Sequence, residues 1–341
     1  MAVTDIVRKG EKFINDTNLK RFRKKGWVSD IHAYTGFGSS KRLHVVGCVL
    51  LENPEHDESK SLAQRGFRQF MTIQVPQHPV TVTVNGASHS GTTDDDGYFD
   101  LVIFDHGLAP GWHEVEVKAD NAQTVTTSVQ VVADDVQFGI VSDIDDTILV
   151  TWLPRALIAA WNSWIKRTDR RRPVPGMSRF FAELEKRYPG SPVFYLSTGA
   201  WNTFHTLSQF MEKHGFPKGA MLLTDWGPTE TNLFRSGQEH KKVQLRNLMI
   251  DFPDMKWILI GDDGQHDPLI YSDVVKEHPR RVHFVALRTL SAQEHVLAHG
   301  TATPLADTER NARELVPFIQ GHDGDTLRKK LDHLDDQELS S

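Results

Sequence analysis

Five apolar runs beyond residue 135 constrain this chain most: "FGIVSD", "VFYLST", "AMLLTD", "WILIGDD" and "VHFVAL". Gaps of roughly 20 to 50 residues separate them and carry helical patterns such as "SRFFAELEKRY" and "KKVQLRNLMIDF". Short apolar runs alternating with helical stretches predict a parallel sheet flanked by helices. Four of the five runs end in polar or acidic residues. In such sheets ligands bind beyond the carboxyl ends of the strands, so these tips should converge on one crevice.

The preceding sequence has a different period. Over 42–133, "LHVVGCVLLE", "FMTIQV", "VTVTVNG", "GYFDLVIF", "HEVEVKA" and "TVTTSVQVV" are short, β-branched and punctuated by Asn-Gly, Asp-Gly and Pro-Gly. This spacing predicts an antiparallel β-sandwich, immunoglobulin-like or transthyretin-like, over 29–134. Within it Asp94, Asp95 and Asp96 precede Gly97; the remaining ligands of a calcium loop are missing, so a hairpin turn is expected. Ile6, Phe13, Ile14, Leu19 and Phe22 recur at helical spacing and predict an amphipathic helix within 1–28, stopping at Gly26. The parallel-sheet domain is expected over 135–302, followed by a charged helical tail over 303–341.

Composition narrows the function classes. With 341 residues and a formal net charge of -6, the chain exerts no global pull toward nucleic acid or an anionic surface. The single cysteine, Cys48, cannot form an internal disulfide and reads as a small buried apolar residue. The first residues are charged throughout, and no apolar run approaches the ~18 residues needed to span a bilayer. A soluble, cytoplasmic protein is expected.

The chemistry concentrates in "GIVSDIDDTILV", residues 139–150. In an extended segment Asp143 and Asp145 face the same side while Ile144 packs away. Two carboxylates that close need a cation between them or must retain a proton. A hard cation such as Mg2+ suits carboxylate oxygens, and a carboxylate beside it can act as a nucleophile.

The strand-tip pattern Asp-x-Asp-x-Thr in "DIDDT" resembles the first motif of the haloacid dehalogenase superfamily. That resemblance implies a haloacid dehalogenase-like Rossmannoid fold and an aspartyl-phosphate mechanism. Asp143 would attack phosphorus, Asp145 would serve as acid and base, and Thr147 would orient Asp145. Ser197, ending "VFYLS", matches the second motif and would bind a phosphate oxygen beside Thr198. "EHKKVQL" supplies Lys241 or Lys242 at the start of a helix. Lys241, four residues before Leu245 as the family spacing demands, is taken as the cation for nucleophile and phosphate. "LIGDDGQHDPLIY" matches the fourth motif, with Asp262 completing a Mg2+ set of Asp143, Asp145 and Asp262.

"YLSTGAWNTF", "LLTDWGP", "EHK" and "LIGDDGQHDPLIY" together are similar to the catalytic domain of actin-patch-associated phosphatidate phosphatases and their bacterial relatives. In that family a β-rich domain precedes the catalytic one. The family more often shows Ser at the position of Asp263, so an extra carboxylate there could join the metal shell. Asp267 is expected either to ligate metal or to hold Lys241 from behind; His240 and His266 are read as hydrogen-bonding neighbours. The implied substrate is phosphatidate or a related lipid phosphate, with a soluble phosphomonoester or a non-catalytic scaffold as alternatives.

Residues 151–177 form an insert where the superfamily places a small lid. Trp152, Leu153, Leu157, Ile158, Trp161, Trp164 and Ile165 alternate there with Arg155, Lys166, Arg167, Arg170, Arg171 and Arg172. Tryptophan with basic residues suits an interfacial helix in peripheral contact with a membrane, and equally a face packed on the sheet with a solvated basic end. Arg155 is expected to help bind substrate. The β-rich domain shows no catalytic constellation, and its partner is open.

Overall fold

A chain whose strands change from alternating to continuous apolar patterning should bury one sheet on one face and the other on both. The computed structural model describes residues 17, 19–53, 73–150, 172–224, 233–264, 266–291, 294 and 311–338. It divides into two units, Met1–Asp134 and Asp135–Ser341.

The first unit holds β1 (Val28–Ala33), β2 (Gly36–Gly38), β3 (Arg42–Glu52), β4 (Ile73–Gln74), β5 (Pro79–Val84), β6 (Ala87–Thr92), β7 (Tyr98–Phe104), β8 (Gly111–Ala119) and β9 (Val125–Val131). They hydrogen-bond in the order β1-β3-β2-β9-β8-β5-β6, and β4 and β7 also pair with β3. Alternating Val80, Val82 and Val84, Val115 and Val117, and Val129 and Val131 turn into one core with Leu43, Val45 and Ile103. Each such fully buried side chain stabilises the fold by about 1.5–3 kcal/mol. The expectation of an antiparallel sheet needs one correction: β2 and β9 pair in parallel.

Asn85 and Gly86, both at positive φ (48° and 80°), make the tight turn joining β5 to β6. The hairpin expected at Asp94–Gly97 is a turn between unpaired strands, because β6 pairs with β5 and β7 pairs with β3. There Asp94 Oδ1 accepts the backbone N–H groups of Asp96 and Tyr98, each at 2.9 Å, which closes the turn. The N-terminal helix is described from residue 19; it ends in a turn at Gly26 (φ 86°), and Leu19 and Phe22 pack on the β core. Cys48 is a buried thiol whose Sγ lies 3.0 Å from the Tyr34 hydroxyl.

The second unit contains β10 (Phe138–Asp143), α1 (Met177–Arg187), β11 (Val193–Ala200), α2 (Phe204–Lys213), β12 (Ala220–Thr224), α3 (Leu233–Asp251), β13 (Lys256–Asp262), α4 (Asp267–Glu277), β14 (Val282–Arg288), β15 (Phe318–Gly321) and α5 (Gly324–Glu338). All sheet pairings are parallel, in the order β12-β11-β10-β13-β14-β15. The order reverses between β10 and β13, the switch point where a crevice opens beyond the carboxyl ends. Ile140, Val141, Ile258, Leu259 and Ile260 are fully buried, as strands covered on both faces require.

The stretch beyond 302, expected as a charged helical tail, contributes a strand. Phe318–Gly321 pairs with β14, and Leu327 and Leu331 of α5 are fully buried. The apolar face of α5 draws this segment onto the sheet in spite of its charge. Its start meets Gly176, where a Cβ on Gly324 would lie 2.2 Å from the Gly176 carbonyl carbon. Only two glycines permit that approach. Among the described residues, no helix is long and apolar enough to cross a membrane.

Candidate active site

Strand register brings the site together. Asp143 ends β10 beside Leu196 of β11, and Ser142 is level with Ile260 of β13. Ser197 and Asp262 therefore lie within a residue of the Asp143 level on the two flanking strands.

Asp143, at 3% exposure, meets Lys241, whose Nζ lies 2.6 Å from Asp143 Oδ1 and 2.6 Å from Asp267 Oδ1. Oxygens of Asp143, Asp262 and Asp267 lie within 4.8 Å of one another, and all three residues are buried. Asp262 Oδ1 accepts the Gly264 N–H at 2.7 Å, while Asp262 Oδ2 and Asp267 Oδ2 are buried without a hydrogen-bond partner. The close approach of Asp267 requires Gly261, where a Cβ would stand 2.6 Å from Asp267 Oδ2.

Electrostatics follow from this crowding. Burial pushes the Asp143 carboxyl well above the usual carboxylate range; Lys241 opposes the shift, and Asp267 and Asp145 add to it. Burial, then Asp267, Asp143 and Asp146, does the same to Asp262. Burial disfavours the Lys241 ammonium, but Asp143 and Asp267 outweigh it and hold the amine above its ordinary range. One ammonium against three buried carboxylates leaves a negative excess, and the two orphaned oxygens face no donor. Oxygen donors with this charge deficit fit a small hard cation such as Mg2+.

Several expectations change in detail. The Asp145 carboxylate is not among the three clustered groups; its Oδ2 accepts the Ser197 hydroxyl at 3.1 Å. Thr147 donates to Asp143 Oδ2 at 3.3 Å, not to Asp145. The turn explains this: the N–H groups of Ile148 and Leu149 both reach the Ile144 carbonyl, curling Thr147 back over Asp143. Lys241 and Lys242 lie mid-way along α3, not at a helix start, because α3 already begins at Leu233. Lys242 turns away to Asp273 at 2.7 Å, leaving Lys241 as the site cation.

Asp263 accepts the Leu290 N–H at 2.8 Å, and His240 approaches the Leu222 carbonyl at 3.4 Å with its pKa lowered by burial. Thr198 is exposed, and its carbonyl accepts the Thr224 hydroxyl. His266 precedes α4 as its N-cap residue. Arg155 and the Trp-rich part of the insert lie outside the described residues.

Sequence reasoning missed Arg288. At the end of β14 and 5% exposed, it donates to the Asp146 carbonyl at 2.7 Å and to Glu294 Oε1 at 2.6 Å. Only its place at a strand tip could have flagged it.

Residues 138–289 match the catalytic domain family of phosphatidate phosphatase APP1. Every strand-tip residue of the site falls inside that segment. Phosphatidate phosphatase APP1 of Saccharomyces cerevisiae is 24% identical over 255 residues, covering 69% of this chain and 42% of the yeast protein. An uncharacterized Schizosaccharomyces pombe protein is 23% identical over 301 residues, covering 81% of this chain and 48% of that protein. The chain thus spans less than half the length of these relatives. An uncharacterized Listeria monocytogenes protein of known structure covers 58% of this chain and 99% of its own, with 10% identity and a TM-score of 0.35, too slight a likeness to bear on the fold.

Proposed function

We propose that the second unit is a Mg2+-dependent phosphatase of haloacid dehalogenase type, hydrolysing phosphatidate or a related lipid phosphate through an aspartyl-phosphate. One observation carries the reading: Lys241 bridges Asp143 and Asp267 at 2.6 Å beside Asp262, at the switch point of a parallel sheet. The APP1 catalytic-domain match over 138–289 supports the substrate class.

Asp143, Asp262 and Asp267 would hold the cation, with Asp145 beside them. When bound, Mg2+ supplies positive charge to the transferring phosphoryl oxygens. A carboxylate oxygen of Asp143 attacks phosphorus while the bond to the leaving oxygen breaks. Asp145, less buried and next to Ser197, gives that oxygen its proton. Asp145 then takes a proton from water as that water attacks phosphorus, freeing inorganic phosphate and restoring Asp143. Lys241 and Ser197 offer fixed donors to the negative charge, the main catalytic task in phosphoryl transfer. Lys241 also keeps Asp143 in place by holding Oδ1.

Leu149 bridges Pro173 across the root of the insert, four residues beyond Asp145. Its Trp and Arg composition supports a substrate at a membrane surface. The decisive experiment measures phosphate release with Mg2+ from phosphatidate in vesicles and from soluble sugar, nucleotide and aryl phosphates. Acid-quenched protein is then examined for a phosphoryl group on the Asp143 peptide. Release and labelling lost in Asp143→Asn support the reading. No release from any of these substrates overturns it, and release confined to soluble esters overturns its lipid part.

A further inference from the structure

The turn that carries Asp145 is held locally by the Ile148 and Leu149 N–H groups on the Ile144 carbonyl, and it is also tied to a distant strand. Asp146, next to it, adopts φ 58°, a left-handed conformation that aspartate tolerates better than most residues. The turn closes on itself through the Asp146 N–H to the Leu149 carbonyl at 2.9 Å. The Asp146 carbonyl points to Arg288 Nη1, 2.7 Å away and buried.

Arg288 is itself held on two other sides. Its Nη2 donates to Glu294 Oε1 at 2.6 Å, and its Nε donates to the His322 carbonyl at 3.3 Å. Glu294 is fixed in turn by the N–H and hydroxyl of Ser291, each at 2.8 Å. His322 follows β15 directly, and Gly321 accepts the Thr289 N–H at 2.8 Å. The planar guanidinium thus joins the Asp145 turn, the end of β14 and the segment after β15.

The same C-terminal segment grips the insert root. Val174 N–H donates to the Ile148 carbonyl at 2.8 Å, and Gly324 N–H donates to the Pro175 carbonyl at 2.9 Å. Arg179 of α1 pairs with Asp325 at the start of α5. Both sides of the Asp145 turn therefore rest on residues 318–325, which lie beyond the segment matching the catalytic-domain family.

We propose that Arg288 is a positioning residue for the acid–base carboxylate, bracing the Asp145 turn through the Asp146 carbonyl against the C-terminal segment. This rests on the phosphatase reading above. A lysine cannot reproduce it, since one ammonium lacks the fixed fork that meets three acceptors in different directions. The Arg288 guanidinium is buried, with Nε, Nη1 and Nη2 all engaged by protein acceptors, so its loss should lower turnover and leave substrate affinity alone.

The test compares the 341-residue chain with Arg288→Lys, Arg288→Met and Arg288→Met/Glu294→Gln. The double variant avoids leaving Glu294 buried and unpaired. Phosphate release is followed from an aryl phosphate and from phosphatidate vesicles, with thermal unfolding measured alongside. We expect kcat to fall by about 10²-fold, the scale of a small misplacement of a catalytic group. KM should stay level, the loss should appear in the folded double variant and in Arg288→Lys, and added guanidinium should restore part of kcat to Arg288→Met. Folded variants with wild-type kcat, or with equal losses in kcat and affinity, overturn the brace. A wild-type chain releasing no phosphate from either substrate overturns the phosphatase reading instead.

Discussion

Asp143 and Lys241, 98 residues apart in the chain, form a buried ion pair with Nζ 2.6 Å from Oδ1. Both side chains are almost fully enclosed, at 4% and 6% exposure. A pair in that setting stabilises little relative to an apolar pair, but breaking it strands a charge. Lys241→Met should cost about 3–5 kcal/mol of unfolding free energy. It should also reduce phosphate release by about 10²- to 10³-fold, the usual effect of removing one fixed donor to developing charge. Chemical denaturation and initial rates on an aryl phosphate check both. A variant of wild-type stability would mean that Asp143 and Asp267 are not held by this ammonium.

Asp262 is the opposite case. Its Oδ2 is buried without a donor, close to two further carboxylates. In chelator, Asp262→Asn should therefore raise stability, on the order of 1 kcal/mol, by removing an uncompensated charge. In the wild type, Mg2+ at a hundred times its dissociation constant should add about 2.7 kcal/mol by mass action. Asp262→Asn should lose most of that gain together with activity. Unfolding curves with and without Mg2+ separate the outcomes, and an equal Mg2+ gain in both proteins would remove Asp262 from the metal site.

These contacts show where the sequence was legible. Five of the six strands of the parallel sheet stood out because each is a continuous apolar run, and register alone then gathers Asp143, Ser197 and Asp262. Phe318–Gly321 did not stand out: "FIQG" is four residues long and sits among charges. Strand β6, "ASHSGT", is a polar edge strand with no buried residue to set its period. The resemblance to a family motif implied Asp145 as the partner of Thr147; the hydrogen bond to Asp143 comes from a turn that curls back, which a linear motif does not encode. Arg288 was illegible because the two backbone carbonyls it joins lie 142 residues before it and 34 after it in sequence.

The β-rich unit should lose stability as pH rises through neutrality. His32 on β1 lies 3.0 Å from Glu52 and 3.4 Å from Asp30. Burial works against its charged form, but Glu52 and then Asp30 prevail and raise its pKa above 6.5. A raised folded-state value means the imidazolium contribution is complete below about pH 6.5, the unfolded value, and is lost as pH climbs through the folded one. His32→Gln should flatten the fall in unfolding midpoint measured by fluorescence between about pH 6 and pH 8. An unchanged slope in that variant would place the pH dependence elsewhere.

The C-terminal helix should be part of the second unit's core. Leu327 and Leu331 are fully buried, whereas Leu315, shortly before β15, is 52% exposed. Replacing a buried leucine by alanine removes transferred apolar surface and leaves a cavity, costing about 2–5 kcal/mol. Leu331→Ala should fall in that range, while Leu315→Ala should stay within about 0.5 kcal/mol of wild type. Because β15 and the segment after it support Arg288, the Leu331→Ala protein should also lose phosphate release at temperatures where its bulk helical signal persists. Activity and circular dichroism recorded over the same temperature ramp decide it. Coincident loss of both signals would show that α5 stabilises the unit without separately steadying the Asp145 turn.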